Sequence, residues 1–554
     1  MRKTGKVLFA YLLTAIFFIN GLVAVSGQAI DRKSFARGQK QAETIQADWL
    51  RDYLSYVASD EMEGRDTPSR GLDLTAKFIA LHLKQWGVKP AGDDGTYFQK
   101  IALQRKTVNA AESFVEFGGK KYVLAEDFLA GQNVGNARSA PLIFMKNGWV
   151  FKAKNINPYQ NTDVRGKVVV MSSAPPKGIT QADFAGTEGV DYQIPVAASR
   201  RNGALGVIEI PAPQALKNWK NIVQNSTEKG VLAMEKFVKA DQASIPSIAA
   251  SAGLLETIFA GEKINGADLM ARKFDALAED SFALSADKKI SINVASSLKT
   301  VYTQNVVGMV EGSDAKLKNE YVALGAHYDH VGTNQNAPGA DKIWNGADDD
   351  GSGTVSILAM AKALATAQPR AKRSALFVWH AGEEKGLWGA KYFSEFPTVP
   401  QSQIIAQLNI DMIGRSRPAT DANPENKILV PRGEIYVIGS KKMSSELGAI
   451  SESVNDNYLK LKFNYKYDDL TDPNRFFYRS DHFHYARKGI PIIFYFDGTY
   501  EDYHQPSDEV EKIDFEQMQM VARTIFMTGW ELLNAPNRPK VDKPLSAEEA
   551  VDPF

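Results

Sequence analysis

Apolar and polar positions change their rhythm along this chain. Between residues 44 and 99 the rhythm is helical. LDLTAKFIALHLKQWG carries apolar residues at three- and four-residue spacing and stops at Gly87, which predicts an amphipathic helix with His82 on its face. From about Asn109 to Leu298 the pattern shortens. DVRGKVVVMSS reads as a β-branched strand after a turn, VAASRRNGALGVIEI as helix, Asn-Gly turn and strand, and IPSIAASAGLLETIF as strand then helix. After Thr303, NEYVALGAH, SALFVWHA, QIIAQLNI and GIPIIFYF read as strands, and SGTVSILAMAKALATA as a helix. Runs that are apolar on both faces belong to strands buried under helices on each side of a sheet. The expected fold is therefore α/β: a mostly parallel central sheet flanked by helices, with a β-rich module inserted ahead of most of it.

Composition adds bounds rather than detail. The 554 residues are 44% hydrophobic and 23% charged, which is ample material for a core. Lys+Arg and Asp+Glu both number 65, so no global field recruits nucleic acid or an acidic membrane, and no nucleic-acid partner is expected. The first residues, MRKTGKVLFAYLLTAIFFINGLVAVSGQA, have the basic start, apolar stretch and small residues of an export signal, with cleavage expected near Ser26–Gln28; a retained anchor is the competing reading. The protein is thus expected in the periplasm or the medium, with no stable membrane partner after cleavage. There is no cysteine, which excludes disulfides and lipid attachment at cysteine. The expected domains are a signal peptide (1–27), an N-terminal part of the main domain (40–108), the insertion (109–298), the rest of the main domain (299–535) and a tail (536–554).

The chemistry collects where the strands end. His327 and Asp329 close NEYVALGAHYD; Asp348, Asp349 and Asp350 lie in NGADDDGSG before the long helix; Glu383 and Glu384 follow SALFVWHA; Asp411 follows QIIAQLNI; and DGTYEDYH, ending at His504, follows GIPIIFYF. Six of the seven histidines fall between His327 and His504. Each residue alone has an ordinary explanation, such as a helix cap or a solvated loop. Together they bring many anions to one sheet edge, the edge where such sheets bind ligands, and that many anions require cations. Imidazole with carboxylate suits zinc, and the number of acids exceeds what one tetrahedral ion takes, so two ions sharing a carboxylate are expected. Spacing leaves open which of the three aspartates is shared. Asp329, two residues from His327 on an extended chain, is placed to orient that imidazole.

The segments GAHYDHVG, NGADDDGSG, GEEKGLWGA, NIDMIG, SDHFHY and DYHQPSDEV, in this order, resemble family M28 metallopeptidases of the di-zinc aminopeptidase group. YVASDEMEGRDTPSRG resembles their N-terminal part, and the module around DVRGKVVVM and IPSIAAS is similar to an inserted protease-associated domain. The resemblance implies a zinc-exopeptidase-like fold and an exported zinc aminopeptidase acting on peptides with a free N-terminus. It implies His327 and Asp411 as terminal ligands on opposite ions, with His504 and Glu384 as their respective partners, and Asp349 as the bridge. It further implies Glu383 as general acid/base, Asp329 as the orienter of His327, and Tyr503 as a phenol that polarises the scissile carbonyl. Ser480, Asp481 and His482 are expected to support the site, and His330, His380 and His484 to be structural. Related activities on the same scaffold are a carboxypeptidase or dipeptidase, for which Arg415, Arg417, Arg475, Arg479 or Arg487 would grip a carboxylate, a glutaminyl cyclase, and a non-catalytic receptor-like protein.

Overall fold

The computed structural model describes residues 31–184, 186–238 and 244–552. The proposed signal peptide lies outside them. Contacts divide the chain into two compact units, one formed by residues up to Lys100 and from Gln304 onward, the other by Ile101–Thr303. The sequence boundaries of 109 and 298 lie inside the second unit, because the chain crosses between units within two long strands, Phe98–Val108 and Ser296–Val310, where composition does not change.

In the first unit the strand order is Ser296–Val310, Ser374–His380, Tyr321–His327, Ile404–Ile410, Ile492–Phe496, Glu434–Ile438, Lys462–Asn464. The four strands recognised from their double-sided apolar runs are mutually parallel and adjacent. Ser374–His380 and Ile404–Ile410 are buried at every position, so neither shows polar alternation. Their flanks are antiparallel: Ser296–Val310 runs against Ser374–His380, and Glu434–Ile438 against Ile492–Phe496. The central register sets His327 opposite His380 and Ile410 opposite Tyr495, so the carboxyl ends form one edge.

Helices cover this sheet. Gly353–Thr366 is almost wholly buried, and its first turn is fixed to the site edge: Asp350 accepts from Gly353 N (2.9 Å), and Thr354 Oγ1 donates to the carbonyl of His327 (2.6 Å). Arg70–Gln85 is the helix read from LDLTAKFIALHLKQWG, and His82 stacks there on Trp86 with ring centroids 5.3 Å apart. The C-terminal helix Phe515–Asn534 packs against Arg32–Ala42 through Trp530, whose indole N–H donates to the Ser34 carbonyl (3.0 Å). Gly38 makes that packing possible, since a Cβ there would lie 2.6 Å from the indole. Among the described residues no helix is long and apolar enough to cross a membrane.

The second unit is a sheet ordered Lys120–Val123, Phe114–Phe117, Lys289–Val294, Gly135–Asn147, Val168–Ser172, Gly206–Ile210, Ser247–Ala250, Phe128–Ala130. It is less purely antiparallel than a β-rich reading suggests, because Gly135–Asn147, Val168–Ser172, Gly206–Ile210 and Ser247–Ala250 are successively parallel. The helix Ala252–Phe259 buries Leu254, Leu255, Ile258 and Phe259 into its own core, with Phe144, Val170 and Ile208.

Trp530→Ala is expected to lower the stability of the first unit by about 3–5 kcal/mol, the usual cost of deleting a fully packed aromatic. Denaturant unfolding followed separately for the two units would show the midpoint of only the first one falling.

Candidate metal centre

The aligned strand ends deliver the site. His327 is the last residue of its strand, Asp411 directly follows Ile404–Ile410, and Glu383 and Glu384 follow Ser374–His380 after one turn. That turn uses left-handed backbone at Gly382 (φ 75°), which lets the chain reverse immediately beyond the buried strand. Lys385, the only cation in the acidic run, pairs outward with Asp66 at 2.7 Å and does not neutralise the two glutamates. His504 is held through its carbonyl, which accepts from Trp344 Nε1 (3.0 Å), and its ring stacks on Tyr503 with centroids 4.0 Å apart.

Two donor sets result: His327, Asp349 and Asp411; and His330, Asp349, Glu384 and His504. This corrects the pairing that the resemblance implied: His327 and Asp411, expected on opposite ions, stand in one set, and His504 and Glu384, expected as their respective partners, stand together in the other. Within each set the donor atoms all lie within 4.8 Å of one another. His327 Nε2 is 3.3 Å from Asp349 Oδ1 and 3.5 Å from Asp411 Oδ1. His504 Nε2 is 3.0 Å from both Asp349 Oδ2 and Glu384 Oε2. A tetrahedral zinc with bonds of about 2.0–2.1 Å sets its donors about 3.3–3.4 Å apart, so these spacings fit. The buried atoms His327 Nε2, His330 Nδ1, Asp349 Oδ2 and Glu384 Oε1 have no hydrogen-bond partner. Imidazole nitrogens and carboxylate oxygens grouped in this way fit a cation such as zinc.

The three aspartates are separated by their partners. Asp348 accepts from Gly414 N (2.7 Å) and Tyr500 Oη (2.9 Å); Asp350 accepts from the backbone N–H of His327, Gly353 and Met412. Only Asp349 belongs to both sets. Its backbone N–H and that of Asp348 donate to the buried carboxylate of Asp508, a positioning contact that the sequence reading did not identify.

Glu383 belongs to neither set, yet it lines a cavity with Asp349, Asp411, Tyr503 and Arg479. Its backbone N–H donates to Asp329 Oδ1 (3.2 Å), and Thr67 Oγ1 donates to Asp329 Oδ2 (3.1 Å). Asp329 faces His327 Nδ1 with both its carbonyl, at 3.1 Å, and its carboxylate, at 3.7 Å, and the same carboxylate anchors the Glu383 turn. Tyr503 Oη accepts from Arg479 (3.2 Å) at the cavity. Ser480, Asp481 and His482 lie behind the metal-facing residues: Ser480 Oγ accepts from Asn409, Asp481 faces His380 Nδ1 at 3.2 Å, and His482 Nε2 meets the Phe477 carbonyl. His380 and His484 stay outside both donor sets.

His330, expected to be structural, stands in the Glu384 set, with Nδ1 2.9 Å from Glu384 Oε1. Strand alternation would turn it away from His327, but the strand ends at His327 and the chain bends through Tyr328 and Asp329. The only sequence signal was the paired histidines of HYDH.

The electrostatics of the site are those of acids balanced by imidazolium. Burial raises Glu383 well above the usual carboxylate range; His327 opposes this, and the charges of Asp411, Glu384 and Asp481 add to it. Burial and the charge of Asp349 push Glu384 up, but His330 and His504 outweigh them and bring it to about 2. Burial works against protonated His504, yet Asp349 and Glu384 outweigh it and raise the imidazole to about 10.

Residues 305–529 match the model of peptidase family M28. Over these residues the chain is similar to that family. A probable leucine aminopeptidase of Arthroderma benhamiae is 27% identical over 236 residues, 41% of this chain and 57% of the relative. Leucine aminopeptidase 1 of Blastomyces gilchristii is 31% identical over 225 residues, 39% of this chain and 53% of the relative. The chain thus spans little more than half the length of these curated relatives. An aminopeptidase from Aneurinibacillus sp. strain AM-1 aligns in structure with a TM-score of 0.49 at 17% identity, over 92% of this chain and 98% of the other.

A metal-ligating imidazole must be neutral, whereas Asp349 and Glu384, outweighing burial, push the His504 imidazole up to about 10. Zinc uptake at pH 8 is therefore expected to release protons, and affinity to fall as pH is lowered. Titration of zinc into metal-free protein in two buffers of different ionisation enthalpy measures this; uptake with no proton release would contradict it.

Proposed function

We propose that this protein is an exported zinc-dependent aminopeptidase that hydrolyses the N-terminal peptide bond of peptides. The observation that carries the proposal is the division of labour at GEE: Glu384 stands in a donor set, whereas Glu383 stands outside both and lines a cavity with Asp349 and Asp411.

In this reading His327, Asp349 and Asp411 would hold one zinc, and Asp349, Glu384 and His504 the other. Bound zinc supplies Lewis acidity, lowering the pKa of an attacking water and polarising the scissile carbonyl. Glu383 takes the proton of that water and returns it to the leaving amine. Its burial and its acidic neighbours favour the protonated form, which suits a group that must both accept and donate. Asp329 sets the position of Glu383 by accepting its backbone N–H. Tyr503, with Arg479 donating to its oxygen, is placed to donate its own O–H to the carbonyl oxygen as negative charge develops there. The inserted unit, which contains no histidine, is in this reading a protease-associated domain without catalytic residues.

One observation favours a second reading. Of the five arginines flagged in the sequence, Arg479 reaches the cavity, while Arg415 pairs with Asp502, Arg417 with Asp421 and Arg487 with Asp552. A guanidinium there could grip the C-terminal carboxylate of a short peptide, which would make the enzyme a carboxypeptidase or dipeptidase.

Acetylating the N-terminus of a peptide is expected to abolish cleavage while amidating its C-terminus leaves it. The reverse pattern would establish the Arg479 reading. Glu383→Gln is expected to keep its zinc and lose about 10²–10⁴ in kcat, the range of general acid–base catalysis. Glu384→Gln is expected to lose zinc and regain part of its activity in excess metal. Wild-type turnover in both variants would remove the proposed mechanism.

A further inference from the structure

From the geometry around His330 we infer that this imidazole is a fourth protein donor to the zinc held by Asp349, Glu384 and His504. That position is then closed by protein, and open coordination remains only at His327, Asp349 and Asp411. The inference rests on the two-zinc reading above and makes its two positions unequal.

His330 is fully buried, and neither of its ring nitrogens has a hydrogen-bond partner. Nδ1 lies 2.9 Å from Glu384 Oε1 and 3.8 Å from Asp349 Oδ2. Both atoms at the first distance are buried without a hydrogen-bond partner. Nδ1 lies with the donor atoms of Asp349, Glu384 and His504, all within 4.8 Å of one another, and His504 Nε2 is 3.0 Å from the same two carboxylates. The rings of His330 and His504 meet at 72° with centroids 5.6 Å apart, which brings both nitrogens to one locus without stacking. Two imidazoles and two carboxylates, spaced near the edges of a zinc tetrahedron, make a complete donor set.

The surroundings hold this ring in place. Gly346 lies against it with φ 56°, and a Cβ there would approach His330 Cγ to 2.5 Å, so only glycine leaves room for the ring. The buried guanidinium of Arg65 donates to the carbonyls of Tyr328 (2.9 Å), Asn345 (2.6 Å) and Gly346 (2.9 Å), joining the two segments that flank the ring. The Arg65 carbonyl in turn accepts from His330 N (3.1 Å). Arg65 thereby gives a role to the upstream EGR segment that the catalytic reading leaves unused. A closed position binds metal tightly and does little else, whereas a catalytic zinc keeps a place for water or substrate. The inferred division is therefore a retained ion on the His330 side and an exchangeable ion on the His327 side.

Histidine-¹⁵N NMR of the wild-type protein, taken metal-free and with two equivalents of zinc, counts the ligating imidazoles without any substitution. Three imidazoles moving to metal-bound shifts, from His327, His330 and His504, are expected. Two, with His330 unmoved, would overturn the inference while leaving the two-zinc site intact. No movement of any imidazole would remove the two-zinc reading itself. Zinc titration against a competing chelator supplies the second readout. Wild type is expected to show a tight and a weaker site, and His330→Ala to weaken the tight one by about 100-fold or more, at or beyond the loss seen when only an outer-shell partner of a ligand is removed. Unchanged affinities in a variant that retains the wild-type circular dichroism would overturn the assignment.

Discussion

The structure depends on one electrostatic constraint: several carboxylates buried at a single sheet edge must be compensated. Asp348, Asp349, Asp350, Asp411, Asp497 and Asp508 are all nearly or fully buried around the strand ends. Taking so many charges out of water is costly unless each is paired or hydrogen-bonded. Most of these acids meet the requirement through the protein itself. Asp350 takes three backbone N–H groups, Asp508 takes those of Asp348 and Asp349, and Arg415 with Tyr500 serves the acids behind the loop. Among the described residues, several of the buried atoms left without a partner gather around Asp349, in the two candidate donor sets.

The parallel sheet makes this concentration possible. Because the four central strands run the same way and end in register, every residue just beyond a strand arrives at the same edge. The strands can be apolar throughout since helices cover them, and polar function is confined to the connections. The same geometry separates Glu383 from Glu384. Adjacent side chains on a tight turn with left-handed glycine at its start diverge, one into a donor set and one into the cavity. Two roles that differ chemically then need only one short segment.

Much of this was legible in the sequence, for a physical reason. Strands buried on both faces are unbroken apolar runs, and a charged residue that interrupts such a run marks its end. His327, Glu383, Glu384 and Asp411 were visible in that way, and the bridging role of Asp349 came from the family resemblance. Glu434–Ile438, the antiparallel neighbour of Ile492–Phe496, was not anticipated, because strand direction is a property of connections rather than of pattern. His330, expected to be structural, stands in the Glu384 donor set, a placement that the resemblance did not supply. Arg65 and Asp508 carried no local signal. Their importance lies in bonds to backbone that is 263 and 159 residues away, and single-sequence periodicity does not register such contacts.

The central claim is that Asp349 sits between two cations. Zinc-edge anomalous diffraction from zinc-loaded crystals tests it most directly. The account predicts two anomalous peaks flanking the Asp349 carboxylate, one against His327 and Asp411 and the other against Glu384 and His504. A single peak at saturating zinc, or two peaks of which neither touches Asp349, would contradict it.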